Sequence, residues 1–311
     1  MTKKYLLNIG FWLKFIGIIL FFYLIYKVGW EETFESIKKI SIIHIIIAVF
    51  ILWLAFYLKS IRWKIISNSY GIPLVHYKAF KVFFIGLFLA NITPGRLGDF
   101  GRLLYIKDEL PTQKIGWSSL IMDRLFDLIS LLFFSLLALF YYQFNFDILK
   151  LPNNYKGLVF LFIGVISFFL FIYGFRGKFN RIIKPWRRAF NSHNLGWSKS
   201  ILSFVITCLS MIMIYGIFNY VAWAMDIEID HLGLFLGTFV LGILTLLPVT
   251  VLGIGVRETS LIFIFQLYDL SAEDAIALSL IIFILQLISF IPGAILFYLS
   301  PIRLKDLRQM K

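Results

Sequence analysis

The chain has 311 residues, 60% of them hydrophobic and only 15% charged, against roughly 25% charged in soluble domains. Its mean hydropathy of +0.87 excludes an ordinary soluble fold, which has nowhere to bury so much Phe, Leu and Ile. The net charge of +13 does not point to nucleic acid either, because the Lys and Arg gather in short loops between apolar runs, the pattern of cytoplasmic membrane loops.

Apolar runs that approach the roughly 20 residues needed to cross a ~30 Å hydrocarbon core recur along the chain. They fall at about 11–28, 42–58, 79–93, 118–142, 157–175, 200–224, 232–250, 256–268 and 275–299. The first follows Lys3 and Lys4 and lacks a small-residue cleavage site before Trp30-Glu31-Glu32, so it reads as an uncleaved span. Cys208, the single cysteine, lies inside an apolar run, so no internal disulfide is possible.

Loop charge sets the topology. Residues 59–81 hold Lys59, Arg62, Lys64, Lys78 and Lys81 without an acid, and 176–199 hold Arg176, Lys178, Arg181, Lys184, Arg187, Arg188 and Lys199, again without one. These loops, the N-terminus and the basic tail read as cytoplasmic, whereas the turn with Asp226, Glu228 and Asp230 reads as external. Two cytoplasmic loops are joined by an even number of crossings, yet three apolar runs lie between 81 and 176. The shortest, 79–93, is therefore expected to be re-entrant. The same count makes 232–268 a second hairpin, entering from the opposite face, or else two short full spans. The stretch 176–199, with Phe179, Trp186, Phe190 and Trp197 among its cations, reads as an interfacial segment on anionic headgroups.

Both short segments end in helix breakers. The first runs into "NITPGRLGDFGR", residues 91–102, where Pro94, Gly95, Gly98 and Gly101 interrupt a helix; the second contains "LPVTVLGIGVRET", residues 247–259, with Pro248, Gly253 and Gly255. Irregular backbone at membrane depth is tolerated only where protein or a watery cavity encloses it, and paired broken segments mark inverted-repeat transporters. The expected architecture is an all-α polytopic bundle, one transmembrane domain with about six full spans and two re-entrant hairpins, in pseudo-repeat halves of about 1–142 and 157–300.

Three charged groups accompany the breaks. Arg96, Asp99 and Arg102 are spaced by three, so a short helix puts them on one face, with Asn91 and Thr93 upstream. Guanidiniums beside freed helix-start amides suit phosphate oxygens. Asp123 and Asp127, flanking Arg124, share a face at i and i+4, and like charges there call for a cation between them, with Arg96 or Arg102 the expected one. Arg257 and Glu258 follow the Gly255 break. Each group has a bland alternative as a structural ion pair. His44, His76, His193 and His231 are scattered, no zinc spacing or nucleotide loop is present, and neither a metal nor a cofactor is expected.

The order P-G-R-x-G-D-x-x-R (Pro94 to Arg102), D-R-x-x-D (Asp123 to Asp127) and G-x-G-x-R-E (Gly253 to Glu258) resembles the lysylphosphatidylglycerol synthase transmembrane-region family over about residues 10–300. The resemblance implies a lipid-translocating domain of a bacterial or archaeal cytoplasmic membrane, with polar motif residues at Arg96, Asp99, Arg102, Asp123, Arg124, Asp127, Arg257 and Glu258. Val249 and Leu252 stand where the family pattern has small residues, and no soluble aminoacyltransferase domain follows before Lys311, so lipid aminoacylation by this chain alone is not expected. The expected function is transport of an anionic phospholipid or polyprenyl-phosphate-linked lipid, with a second copy of the chain or a separate lipid-modifying enzyme as further partners. The rivals are a membrane-embedded transferase on polyprenyl-phosphate lipids and a non-transporting accessory subunit.

Overall fold

The computed structural model describes residues 31, 35, 37–146, 195–245 and 253–300, without the side chains of 94–97 and 144–146. The expected spans at 11–28 and 157–175, nearly all of the basic stretch 176–199 and Pro248 lie outside the described residues. All regular elements among the described residues are helical. Four of these stretches, Ile42–Ser69, Gln113–Gln143, Trp197–Ala224 and Ala272–Leu299, are long and apolar enough to cross a membrane.

Helix α1 runs Ile42–Ser69, well past the expected end at residue 58. Nothing stops it earlier, since neither Pro nor Gly occurs between Ile42 and Tyr70. It ends at Gly71, in the left-handed region with φ 74°. There the Gly71 amide donates to Asn68 O at 3.1 Å and the Ile72 amide to Ser67 O at 3.0 Å, the paired bonds of a Schellman stop. Lys59, Arg62 and Lys64 are therefore helical residues and not part of a cytoplasmic loop, which corrects the expectation for 59–81.

Helix α2, His76–Ile92, stops because Thr93, preceding Pro94, is pushed to extended backbone. The chain then reverses through a 3₁₀ segment, Pro94–Gly101, and a short helix α3, Arg102–Tyr105. The return is tight, with Gly101 beside the Leu89 side chain and Gly86 beside Arg102. Lys78 pairs with Glu109, so residue 109 is back at the level of the first turn of α2. Segment 76–109 is thus a hairpin.

Helices α4 (Gln113–Phe146) and α5 (Trp197–Ala224) are long and predominantly apolar, with Asp123, Arg124 and Asp127 on α4 as a charged interruption. Helix α6, His231–Leu244, starts at Asp230, whose carboxylate accepts from the Gly233 amide at 2.8 Å and the Leu232 amide at 3.3 Å. Helix α7, Val256–Leu267, returns alongside α6. Ile264 packs at Gly237, and Tyr268 OH donates to Asp230 Oδ2 at 3.2 Å, which closes the second hairpin at its mouth. Helix α8 (Ala272–Ser289) passes into α9 (Ile291–Leu299) through a break at Phe290. Pro292 causes it, lacking an amide and crowding the preceding turn.

The described residues cluster in two compact units, one within 1–50, 131–170 and 215–286, the other within 51–130, 171–214 and 287–311. In the second, α9 packs on α2, with the Phe88 and Phe297 rings 5.8 Å apart. In the first, Phe239 stacks on Phe134 at 4.4 Å. Ile46, Phe50, Phe133, Phe140, Val205 and Ile295 are exposed, as lipid-facing side chains would be.

Candidate functional site

Each unit holds a buried Arg in a polar network. In the second unit, Arg62 of α1 has no exposed side-chain surface. Its Nε donates to Asp123 Oδ1 at 2.9 Å, and its Nη1 donates to Asp127 Oδ1 at 2.6 Å and to Thr207 Oγ1 at 2.9 Å. Lys59, one turn earlier, donates from Nζ to Asp127 Oδ1 at 2.9 Å. The i, i+4 carboxylates of α4 thus have the cation their spacing demands, but it is Arg62 that bridges them.

Arg102 joins from the return limb of the first hairpin. It pairs with Asp99 Oδ1 at 2.5 Å and with Asp123 Oδ2 at 3.2 Å. Its guanidinium lies over the Phe83 ring at 4.3 Å and the Trp63 ring at 5.2 Å, cation–π contacts that strengthen as water is excluded. Arg124 pairs with Asp99 and reaches Asp127 Oδ2 at 3.8 Å. In a 3₁₀ helix residues three apart eclipse, so the spacing of Asp99 and Arg102 brings them together as expected.

This network has a closed side and an open edge. Arg62, Asp123, Arg102 and Asp99 have 0–4% of their side-chain surface exposed, whereas Lys59 has 11%, Asp127 16% and Arg124 39%. Among the described residues four cations meet three carboxylates. Such a cluster within apolar helices persists only when ionic partners satisfy it, and a fourth basic residue beyond the three matched pairs leaves it suited to an added anion.

The other predicted residues are placed as follows. Asn91 donates from Nδ2 to Leu87 O at 2.7 Å, within its own helix. Gly98 lies in the expected break, and its amide donates to Thr93 Oγ1 at 2.6 Å. Pro94, Gly95 and Arg96 lie in the 3₁₀ segment, and the Arg96 side chain is outside the description.

In the first unit, Gly253 and Gly255 have φ of 78° and 87° and turn the chain into α7. The Gly255 amide donates to Glu258 Oε2 at 2.5 Å. Glu258 Oε1 accepts from Arg257 Nη2 at 2.9 Å and from Ser279 Oγ at 2.6 Å. Arg257 also donates to Ser279 Oγ at 2.6 Å and to Gln286 Oε1 at 3.3 Å, and it lies 5.4 Å from the Phe283 ring centroid. The pair is charge-balanced and buried on both sides, at 3% and 0% side-chain exposure. At the mouth of this hairpin, burial alone would raise the Asp230 carboxyl. Hydrogen bonds from Tyr141, the Gly233 and Leu232 amides and Tyr268 outweigh it and hold that carboxyl below the usual carboxylate range.

Sequence reasoning missed Lys59, Arg62, Thr207, Ser279 and Gln286. A signal for the first two was present: an uninterrupted helical run through Ser69, with Lys59 and Arg62 one turn apart. The other three are lone polar residues in apolar helices, and no local pattern marks them.

The family model of the lysylphosphatidylglycerol synthase TM region matches residues 11–293, and the chain belongs to that family. It is similar to a UPF0104 membrane protein of Methanocaldococcus jannaschii, 23% identical over 89% of this chain and 90% of the relative. It is also similar to a UPF0104 membrane protein of Pyrococcus horikoshii, 29% identical over 45% of this chain; that alignment spans 41% of the relative, less than half its length.

Proposed function

We propose that this member of the lysylphosphatidylglycerol synthase TM region family is a lipid translocator that moves an anionic phospholipid or polyprenyl-phosphate-linked lipid across a bacterial or archaeal cytoplasmic membrane, with both termini cytoplasmic. The observation that carries the proposal is the network of three guanidiniums, Arg62, Arg102 and Arg124, with the amine of Lys59 beside them, open at Arg124. A phosphate arriving at that edge meets a guanidinium able to bind two of its oxygens. Asp99 and Asp127 hold Arg124 while the site is empty, so no charge is left bare in a low-dielectric setting. Arg96 and Arg102 are proposed as further headgroup contacts beside that edge, at the backbone break that holds Gly95 and Gly98. In the other unit Arg257, after the turn at Gly253 and Gly255, is proposed as a second headgroup contact of its own.

Two features support re-entrant hairpins in an inverted repeat. Lys78 meets Glu109, and Asp230 meets Tyr268, so each short segment returns the chain to the level at which it left. Exposed apolar side chains on the long helices would keep acyl tails in the bilayer.

The test is translocation of a fluorescent phosphatidylglycerol in proteoliposomes, read by quenching of the outer-leaflet label. The wild type is expected to exceed protein-free vesicles. Arg124→Ala is expected to slow it about tenfold, the equivalent of roughly 1.4 kcal/mol of lost headgroup contact, with partial recovery in Arg124→Lys. A wild-type rate equal to that of empty vesicles, or one unchanged by Arg96→Ala, Arg124→Ala and Arg257→Ala alike, overturns the proposal.

A further inference from the structure

Among the described residues, the guanidiniums and carboxylates around Arg62 match in number without Lys59. Arg62, Arg102 and Arg124 face Asp99, Asp123 and Asp127, three against three among the described residues, and every one of those carboxylates is held by two of the guanidiniums. Lys59 is a fourth cation, set against a carboxylate, Asp127, that Arg62 already holds at 2.6 Å. Arginine does not lose its proton in proteins, whereas a buried lysine does so readily, because its charge is a compact one that depends on hydration. The surplus charge and the ability to shed it therefore fall on one residue.

Resting on the headgroup site proposed above, we propose that Lys59 is the proton-coupling residue of that site: it is a neutral amine when the site is empty and takes up one proton when an anionic headgroup binds. A neutral amine still donates an N–H to Asp127 Oδ1, as the 2.9 Å contact requires. When a phosphate monoanion reaches Arg124, the network gains one negative charge, and a proton from solvent adds to the Nζ lone pair. The amine becomes an ammonium and no bond to the lipid forms. Site plus ligand then carries the same net charge as the empty site, which avoids adding net charge in a poorly solvated place.

The surroundings make Lys59 the acceptor. Among the described residues, the charged groups of its network are Arg62 on its own helix, Asp123, Arg124 and Asp127 on α4, and Asp99 and Arg102 on the return limb of the hairpin. Helix α5 brings Thr207 to the network, and its one charged residue, Lys199, lies at its first turn. Each carboxylate keeps two guanidinium partners whatever Lys59 does. Lys59 is also on the open side, with 11% of its side chain exposed, and in the proposed coupling its proton comes from water at that edge.

The experiment uses the full chain in nanodiscs of zwitterionic lipid and dihexanoylphosphatidylglycerol as the probe, a phosphodiester that does not titrate between about pH 6 and pH 10. Calorimetry in two buffers of different ionisation enthalpy counts the protons taken up. The wild type is expected to take up about one proton per probe over part of that range, with affinity falling about tenfold per pH unit where uptake is complete. Lys59→Arg is expected to bind with no uptake and a flat pH profile. Lys59→Gln is expected to bind more weakly, equally flat, and it serves if the arginine variant does not fold. Probe binding by the wild type without uptake at any pH overturns proton coupling and leaves the headgroup site standing. Uptake that persists in Lys59→Arg or Lys59→Gln places the proton on another group and also overturns it. No binding by the wild type overturns both proposals.

Discussion

Arg62 and Asp123 meet as fully buried partners, the guanidinium placing Nε 2.9 Å and Nη2 2.7 Å from the same carboxylate oxygen. Sixty-one residues separate them in sequence, and the contact fixes the depth of α1 against α4. A buried pair is weak evidence of net stability, but removing one member leaves a bare charge, which costs about 3–5 kcal/mol. Arg62→Ala is therefore expected to lower unfolding stability by about that amount. The double change Arg62→Met with Asp123→Leu is expected to recover much of it, because both charges go together. Denaturant unfolding of the purified variants measures both. A double variant as unstable as Arg62→Ala would show that the pair is not the source of the loss.

Arg102 crosses α2 at Gly86, where an added Cβ would lie 2.5 Å from both its Cγ and its Nε. Gly86→Ala should therefore force the guanidinium off Asp99 and Asp123 and cost about 1–3 kcal/mol, the usual range for overpacking. In an Arg102→Ala background the same change is expected to cost almost nothing. A double-mutant cycle on thermal stability reads the coupling, and additive effects would mean that α2 meets something other than Arg102 at this point.

Much of this arrangement was legible in the chain, and the misses have a common cause. Local pattern sufficed for the two breaks, because Pro94 and the glycines at 253 and 255 impose their geometry on neighbours in sequence. It also brought Asp99 to Arg102, three residues apart. It misassigned the bridge between Asp123 and Asp127, since the choice among Arg62, Arg96 and Arg102 depends on which helices pack together. Loop charge was misleading at 59–64, where Lys59 and Arg62 look like cytoplasmic cations. They are instead paired with acids of α4 inside a continuing helix.

Ser279 sits between Arg257 and Glu258, accepting from one and donating to the other, both at 2.6 Å. Ser279→Ala deprives Arg257 Nε of its acceptor and Glu258 Oε1 of a donor. Destabilisation of about 1–3 kcal/mol is expected. Glu258→Ala should cost more, because it strands a buried guanidinium and frees the Gly255 amide as well. Thermal unfolding in detergent ranks the two, and the opposite ranking would mean that Arg257 is held mainly by Ser279 and Gln286.

Gly255, at φ 87° and ψ −49°, occupies backbone that side-chain-bearing residues rarely adopt. Gly255→Ala is expected to cost about 1–3 kcal/mol from strain alone. Gly216, in the middle of α5 with open space around its Cβ position, is the control: Gly216→Ala should be neutral or stabilising by up to about 1 kcal/mol. Equal effects at the two sites would remove the case for a strained turn into α7.

Asp230 ties the mouth of the second hairpin through the first amides of α6 and the hydroxyls of Tyr141 and Tyr268. Its carboxyl titrates below the usual range in the folded protein, so the folded state binds its proton less readily than the unfolded chain. The stabilisation is then fully present above the unfolded value of about 3.9 and is lost as pH falls through the lower folded value. Asp230→Ala should cost about 0.5–2 kcal/mol near neutrality, the range for a lost helix cap. That difference from the wild type should shrink only once the pH drops below about 4. Stability of both proteins measured from neutral to acid pH tests it, and a gap that closes already above the unfolded carboxyl value would show that Asp230 is not held ionised by this box of donors.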